Sequence, residues 1–207
     1  DYPEENYDAT NTRFDCEAMI AKDDTIFLFS KNWVDHKTFL YAIPNKANYF
    51  HTIVPIDTLQ LDYLVTSADY DYVTNTVALI GYTYSTINSR PHITLLRNFS
   101  GNDFFGGSVT NQEFSSPSGL TNQETGITYN QIEGVTFRDS SRIWVTNELL
   151  NKTVSFITLR IESHLREFVI TNPQAVNDPA DEPTFPEEPL PIVIDIEHSE
   201  TTILEGD

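Results

Sequence analysis

A sixteen-residue segment occurs twice in this chain, and this repeat constrains the fold more than any other feature. Residues 17–32 align without a gap with residues 133–148, so that Glu17 meets Glu133 and Asp23 meets Asp139. Each copy reads as a short strand, a polar turn and a second apolar strand. A repeated strand–turn–strand unit is typical of a modular β architecture.

A weaker third copy lies between the other two. Residues 67–71 correspond to the first strand of the repeated unit, and residues 76–81 correspond to its second strand. Ser67 stands where the other copies have Glu17 and Glu133, and Asp69 is the first acidic residue of this strand. Three copies predict three units of the same kind along the chain.

Each unit is predicted to have four strands, at 16–21, 26–31, 38–43 and 49–54, then at 65–70, 76–82 and 92–97 with a poorly defined fourth, then at 132–137, 142–146, 153–160 and 166–171. Short strands at this spacing also suit a β-sandwich, but a sandwich has no reason to repeat an acidic residue together with its strands. The sequence therefore predicts an all-β fold, a β-propeller of which three four-stranded blades are visible. Because a closed propeller has four to eight blades, we expect the C-terminal part of a larger propeller, or chains that assemble to cover the exposed edges.

Composition excludes several classes of partner. The chain has 207 residues and a formal net charge of −19, which disfavours binding to nucleic acid or to anionic membrane surfaces. It has no apolar run long enough for membrane insertion as a helix. Its single cysteine, Cys16, lies in an apolar strand and is expected to be a small buried residue. Since the chain begins at Asp1, it is expected to be a mature or truncated product.

The C-terminal segment differs from the rest. We divide the chain into residues 1–172, which hold the propeller blades, and residues 173–207, an acidic Pro-rich linker with one terminal strand. That strand, at 192–196, would either begin a following domain or pair with the edge of a blade.

Residues 1 to about 172 resemble the central blades of secreted bacterial β-propeller proteins of mostly unassigned function. The segments that carry the resemblance follow in the same order, at 15–19, 28–33, 66–70, 79–82, 102–107, 132–135 and 146–148. The resemblance implies a secreted or cell-surface bacterial protein, and the family is distantly similar to esterase-like phytase propellers. The segment before Glu133 is longer here than in the family, which leaves Glu124 as an alternative to Glu133.

Four acidic residues are candidate metal ligands. The first strand of each propeller blade lines the central channel, so Glu17, Asp69 and Glu133, with Asp15 nearby, would converge on one channel mouth. Converging carboxylates either bind a hard cation such as Ca²⁺ or repel one another and raise their pKa values. The alternative is that each acid accepts hydrogen bonds from the backbone of the neighbouring blade.

Four further residues, at the ends of the second strands, are candidate ligand-binding residues: Lys31, Asn32, Asn147 and Glu148. They would either contribute to the same mouth or cap the blade edges. We find no sequence motif for catalytic residues. The sequence thus favours a secreted or cell-surface binding or scaffold protein without catalysis, whose partner is an unknown extracellular ligand or protein. The alternative is a Ca²⁺-dependent ester or phosphoester hydrolase that uses the channel carboxylates.

Overall fold

The computed structural model describes residues 8, 10–46, 52–84, 89–114, 121–122, 127–128, 131–154, 157–171, 193–195 and 201–202. Within these residues the protein is all-β, with three antiparallel sheets and two separate hairpins. No helix of membrane-spanning length and hydrophobicity occurs among them.

Sheet one contains four strands in sequence order, β1 (Asp15–Lys22), β2 (Thr25–Lys31), β3 (Lys37–Pro44) and β4 (Asp57–Gln60). The first three confirm the predicted strands, and β3 ends at the proline that cannot continue a ladder. The fourth strand was predicted at 49–54 and this is wrong, since residues 52–54 are not strand. Pro55 follows that segment, and pairing with β3 begins after it, at Ile56, whose N–H donates to the Leu40 carbonyl.

Sheet two also runs in sequence order, through β5 (Leu64–Asp71), β6 (Thr76–Thr83), β7 (Arg90–Arg97) and β8 (Ser108–Glu113). The fourth strand, which the sequence did not locate, is β8. It is reached through a turn in which Asn98 and Gly101 take left-handed φ values of 57° and 59°. This turn also carries Phe99 and Phe104 into the core.

Sheet three differs from the predicted unit. Its strands β11 (Ile132–Asp139), β12 (Arg142–Asn147) and β15 (His164–Thr171) pair in that order. The strand predicted at 153–160 is wrong, because β13 (Leu150–Val154) and β14 (Ile157–Ile161) pair only with each other as a hairpin. A second small hairpin joins β9 (Thr121–Asn122) to β10 (Ile127–Thr128).

The C-terminal segment completes sheet three. Two short strands, β16 (Val193–Asp195) and β17 (Thr201–Thr202), pair antiparallel with β15 at different points along its edge. The predicted terminal strand therefore pairs with a sheet edge. The Pro-rich linker predicted at 173–191 lies outside the described residues, so the division of the chain at residue 172 stays a prediction.

Sheet two lies between the other two sheets. Its face toward sheet one packs Val77, Leu79 and Leu96 against Phe27 and Phe29. Its opposite face contributes residues of the second core, which also holds side chains of sheet three: Ala78, Ile80, Ile93 and Leu95 with Val135, Ile143 and Phe168. Because β6 is buried on both faces, its sequence is a continuous apolar run rather than an alternating one.

The first strands of the three sheets lie side by side, with β5 in contact with both β1 and β11. Each of them contains a β-bulge at the same place, and the bulged residues are Glu17, Thr66 and Glu133. A bulge re-aims the side chain that it carries and shifts the alternation of its neighbours. Cys16 lies next to the first bulge and is exposed, so the expectation that it is buried is wrong. The described strands form no closed ring, and the arrangement of the sheets as propeller blades stays a prediction.

Candidate functional site

The candidate site is built on the bulges at one end of the three sheets. Close to each bulge lies the end of the second strand of the sheet, and the residues at equivalent positions there are Lys31, Tyr82 and Glu148. Their equivalence follows from the pairing, since Lys31 pairs with Asp15, Tyr82 pairs with Leu64, and the Glu148 N–H donates to the Gln131 carbonyl. We call Glu17, Lys31, Glu133 and Glu148 the bulge-end cluster.

Lys31 is the cation at the centre of the bulge-end cluster. Its Nζ lies 2.7 Å from Oε2 of Glu17, and the side-chain exposures of the two residues are 5% and 38%. The same Nζ lies 5.2 Å from the ring centroid of Trp33 and 5.4 Å from that of Tyr82. A desolvated ammonium is stabilised by a carboxylate and by aromatic faces together. Lys31 is therefore held by groups from sheets one and two, while Glu17 still reaches solvent.

Glu133 belongs to sheet three, and its carboxyl forms a hydrogen bond with that of Glu17 in sheet one. Burial raises the pKa of the Glu133 carboxyl to about 8; the Lys31 ammonium opposes this rise, whereas the charges of Glu17 and Glu148 and a hydrogen bond with Glu17 add to it. At neutral pH the Glu133 carboxyl is therefore mainly protonated and can donate its proton to the Glu17 carboxylate. A protonated carboxyl of sheet three and a carboxylate of sheet one thus lie beside one ammonium.

The neighbours of the cluster are held in place by their own hydrogen bonds. The Trp33 indole N–H donates to Oδ2 of Asp15 at 3.0 Å, and Tyr84 packs edge-on against the Trp33 ring. Nε2 of Gln131 donates to the Tyr82 hydroxyl at 3.2 Å. These contacts fix the aromatic rings on which the Lys31 ammonium lies.

The bulged residue of sheet two plays a different part. Oγ1 of Thr66 donates to the Ile132 carbonyl at 2.6 Å, which ties sheet two to the strand that carries Glu133. The hydroxyl is fully buried, and this bond satisfies its donor. Thr66 therefore fixes the position of β11 along β5 next to the cluster.

The structure brings together four of the predicted site residues and separates the others. Glu17, Lys31, Glu133 and Glu148 act on one another as described above. Asp15 lies at the margin, where it accepts the indole hydrogen bond of Trp33. These residues remain predictions as binding residues, and only their proximity is a structural finding.

Both predicted asparagines have structural contacts. Oδ1 of Asn32 accepts from the Val34 N–H at 3.0 Å, and its Nδ2 donates to Asp35 at 2.7 Å, which closes the turn between β2 and β3. Nδ2 of Asn147 donates to the carbonyls of Glu148 and Glu162, each at 2.9 Å. Both side chains are almost fully buried. Of the two roles considered for them, the contacts support the capping role.

Asp69 makes hydrogen bonds with sheet three, and its predicted place in the cluster stays a prediction. Its Oδ2 accepts hydrogen bonds from the Phe137 N–H at 2.7 Å and from Oγ1 of Thr136 at 3.0 Å. Asp69 therefore joins sheet two to sheet three, as in the alternative in which each acid bonds the backbone of its neighbour. The bulge makes Thr66 the structural equivalent of Glu17 and Glu133, one residue before Ser67, which has that position in the sequence alignment.

The predicted Ca²⁺ site requires several oxygen ligands at one point. Among the described residues, no group of three or more His, Cys, Asp or Glu side chains is arranged to hold a metal ion. Glu17 already has the Lys31 ammonium as its counter-charge. The Ca²⁺ site therefore stays a prediction. Glu124, the alternative to Glu133, lies outside the described residues.

Sequence reasoning missed three residues near the cluster, Trp33, Thr66 and Tyr82. Bulges leave no clear sequence signal, so the role of Thr66 was not visible. A signal for Tyr82 was present, because it follows Gly81, and a Cβ at Gly81 would lie 1.8 Å from the Leu64 carbonyl oxygen. A glycine inside an apolar strand marks this kind of close backbone approach.

Comparison with known proteins adds no identification, since no family model, curated protein or solved structure matches this chain. The resemblance to secreted bacterial propellers therefore stays a prediction from the sequence.

Proposed function

We propose that this chain is part of a β-propeller of the secreted or cell-surface type and that it binds a ligand without catalysis. The observation that carries the proposal is the bulge-end cluster, in which equivalent positions of sheets one and three converge. Three sheets whose first strands lie side by side support the propeller arrangement. Propellers and other modular β proteins would present a binding site at the end of the sheets where such positions converge.

The ligand class follows from the charges of the cluster. With Glu133 protonated, Glu17 and Glu148 carry two negative charges and Lys31 one positive charge, so the cluster is negative overall. Glu17 is part exposed and Glu148 is exposed, which leaves both carboxylates accessible to a partner. The chain as a whole has a formal net charge of −19, which steers cations toward it. We therefore propose a ligand with an ammonium or guanidinium group, carried by an extracellular protein or small molecule.

Binding of such a cation is coupled to a proton. A positive charge beside Glu133 favours its ionised form, so the carboxyl releases its proton when the cation arrives. The affinity is then expected to rise as pH increases toward the pKa of Glu133, which is about 8. This coupling distinguishes the cluster from ordinary surface carboxylates, which have no proton to release at neutral pH.

Calorimetry with a hexa-arginine peptide tests the proposal. The double variant Glu17→Gln/Glu148→Gln should weaken binding at least tenfold and remove the release of protons, measured in buffers of different ionisation enthalpy. The matched control, Asp24→Asn/Glu113→Gln, removes the same formal charge from exposed positions of sheets one and two. Equal losses in the two variants would mean that the peptide binds the general negative surface, and the proposed site would be abandoned.

The second candidate is the Ca²⁺-dependent hydrolase predicted from the sequence. Its support is the presence of Glu17, Glu133 and Glu148 at one end of the sheets, although Asp69 is engaged elsewhere. If Ca²⁺ binds these carboxylates, it raises the melting temperature by mass action, and Glu17→Gln/Glu133→Gln abolishes the rise. A melting temperature that is the same in Ca²⁺ and in chelator removes this candidate.

A further inference from the structure

The two outer faces of the three-sheet stack differ in chemistry. Sheet one has one face in the first core and an opposite face that carries Met19, Ile26, Leu28 and Ile43 in neighbouring positions of β1, β2 and β3. We call this the outer face of sheet one. Its residues belong to neither of the two buried clusters of the described chain. Met19 is 64% exposed, and the other three are half-buried.

The outer face of sheet one has an equivalent in sheet two. When the strands are aligned at their bulges, Met19, Ile26, Leu28 and Ile43 take the positions of Ala68, Val77, Leu79 and Leu96. These are the residues that sheet two presents to sheet one, and Val77, Leu79 and Leu96 are each 0% exposed there. Sheet three repeats the pattern, because Val135 and Ile143 pack toward sheet two in the second core.

The residues that cover this position in sheet two come from the other face of sheet one: Ala18, Ile20, Phe27, Phe29 and Leu40. Each sheet therefore presents one face to the sheet before it and the other face to the sheet after it. The outer face of sheet one is a face of the kind that meets the sheet before it. No sheet of the described chain packs on this face. An apolar face of this kind in water indicates an interaction surface.

The outer face of sheet three is different, and it excludes a simple head-to-tail contact. Trp144 is covered there by Arg138, and both contact the Glu167 carboxylate. Arg142 also faces Glu167, with 3.9 Å between Nε and Oε1. These charges are satisfied on the surface and would have to be desolvated to meet an apolar sheet. A second copy therefore cannot present sheet three to sheet one at low cost.

We propose that a further four-stranded antiparallel sheet of the same kind docks on the outer face of sheet one. This sheet presents the kind of apolar face that sheets one and two turn toward the sheet after them. The interface between sheets one and two is the template for this contact. The occupant is thus an apolar sheet with small and aromatic side chains at the positions of Ala18, Phe27 and Phe29. Sheet three, with its charged outer face, does not offer an apolar surface of this kind.

A fused copy of sheet one supplies such an occupant for the test. Residues 10–63 are added ahead of residue 1, so that residues 1–14 connect the copy to β1. In both the fused and the original 207-residue chain, Cys16→Ser removes the native thiol from every copy, and Leu28→Cys places a probe on the outer face of the original sheet one. We expect a thiol-reactive maleimide to label this probe at least tenfold more slowly in the fused chain, together with a rise of several degrees in melting temperature.

Two controls keep the outcome specific. Trp144→Cys, on the outer face of sheet three, should be labelled at the same rate in both chains. A fused copy that carries Phe29→Asp and Leu40→Asp has lost its docking face and should restore fast labelling of the Leu28→Cys probe. Equal labelling of that probe in the original and fused chains overturns the proposal. So does a 207-residue chain that is already a dimer, with labelling that slows as its concentration rises, because the occupant is then a second copy.

Discussion

Lys31 and Glu17 form an ion pair of 2.7 Å, and 5% of the lysine side chain and 38% of the glutamate side chain are exposed. The same ammonium also opposes the rise in the pKa of Glu133, which belongs to another sheet. One lysine therefore compensates acidic side chains from both ends of the three-sheet stack. The charge balance of the site therefore depends on how the sheets are ordered, because Lys31 compensates acids from two of them.

Replacement of this ammonium should destabilise the fold. Lys31→Met keeps the apolar stem on Trp33 and Tyr82 but leaves Glu17 beside Glu133 without a counter-charge. We expect the free energy of unfolding to fall by about 1–3 kcal/mol, less than for a fully buried pair because Glu17 is part exposed. Urea denaturation at pH 7 measures this loss.

The double variant Lys31→Met/Glu17→Gln separates charge from packing. If charge causes the loss, removal of the Glu17 carboxylate recovers most of the stability, and the double-mutant cycle shows coupling between the two residues. Losses that simply add would contradict the ion pair as the source of the effect.

Asp69 should be important for stability and irrelevant to the cluster. Asp69→Ala leaves the Phe137 N–H without its acceptor, which is expected to cost about 1–3 kcal/mol. Thr136→Val removes only the weaker hydroxyl bond to the same carboxylate and should cost less. Both are measured by denaturant unfolding, and a change in the binding of hexa-arginine by Asp69→Ala would contradict its purely structural role.

Gly81 should tolerate no side chain. A Cβ there would lie 1.8 Å from the Leu64 carbonyl oxygen and 2.9 Å from the Tyr63 ring, so Gly81→Ala is expected to cost about 2–3 kcal/mol. Gly101 is the matched control, since its φ is 59° and nothing lies within 4 Å of its added Cβ. Gly101→Asn should therefore change the melting temperature little. Similar losses at the two positions would contradict the close approach at the sheet-two bulge.

Glu133 should make stability depend on pH. Its pKa is about 8 in the folded protein and about 4.3 in an unfolded chain, so between these values the folded state holds a proton that the unfolded state has released. The contribution of Glu133 to stability therefore falls as pH rises through this window and levels off above pH 8. Between pH 5 and pH 8, the free energy of unfolding of Glu133→Gln should rise by roughly 1–2 kcal/mol relative to that of the native protein, after allowance for partial solvent exposure. Parallel pH profiles for the two proteins would contradict the raised pKa, and Glu113→Gln is the control.

Much of the fold could be predicted because strand position is encoded locally. The ungapped repeat located the first two strands of sheets one and three, and the apolar run at 76–82 located the central strand β6. The fourth strands could not be predicted in the same way. β4 follows a proline, and β16 is separated from its partner β15 by more than twenty residues, so pairing over distance decides both.

The candidate site was predictable to the extent that it follows the repeat. Glu17 and Glu133 occupy the same position in two copies, and the structure places them together. Asp69 was grouped with Glu17 and Glu133 because it is the first acidic residue of its strand. The sequence alignment placed Ser67 at their position, whereas the backbone places Thr66 there, at the bulge. The aromatic neighbours of Lys31 were not predicted, because Tyr82 comes from another sheet and only the packing of sheets one and two brings it there.

The most direct test of the coupled pair is the titration of individual glutamate side chains by NMR, with ¹³C detection at the carboxyl carbon. We predict that Glu133 titrates with a pKa near 8 and that Glu17→Gln lowers this value, because it removes a neighbouring negative charge. A Glu133 carboxyl that titrates near the ordinary value of about 4.3, unchanged by Glu17→Gln, would show that the two side chains do not meet.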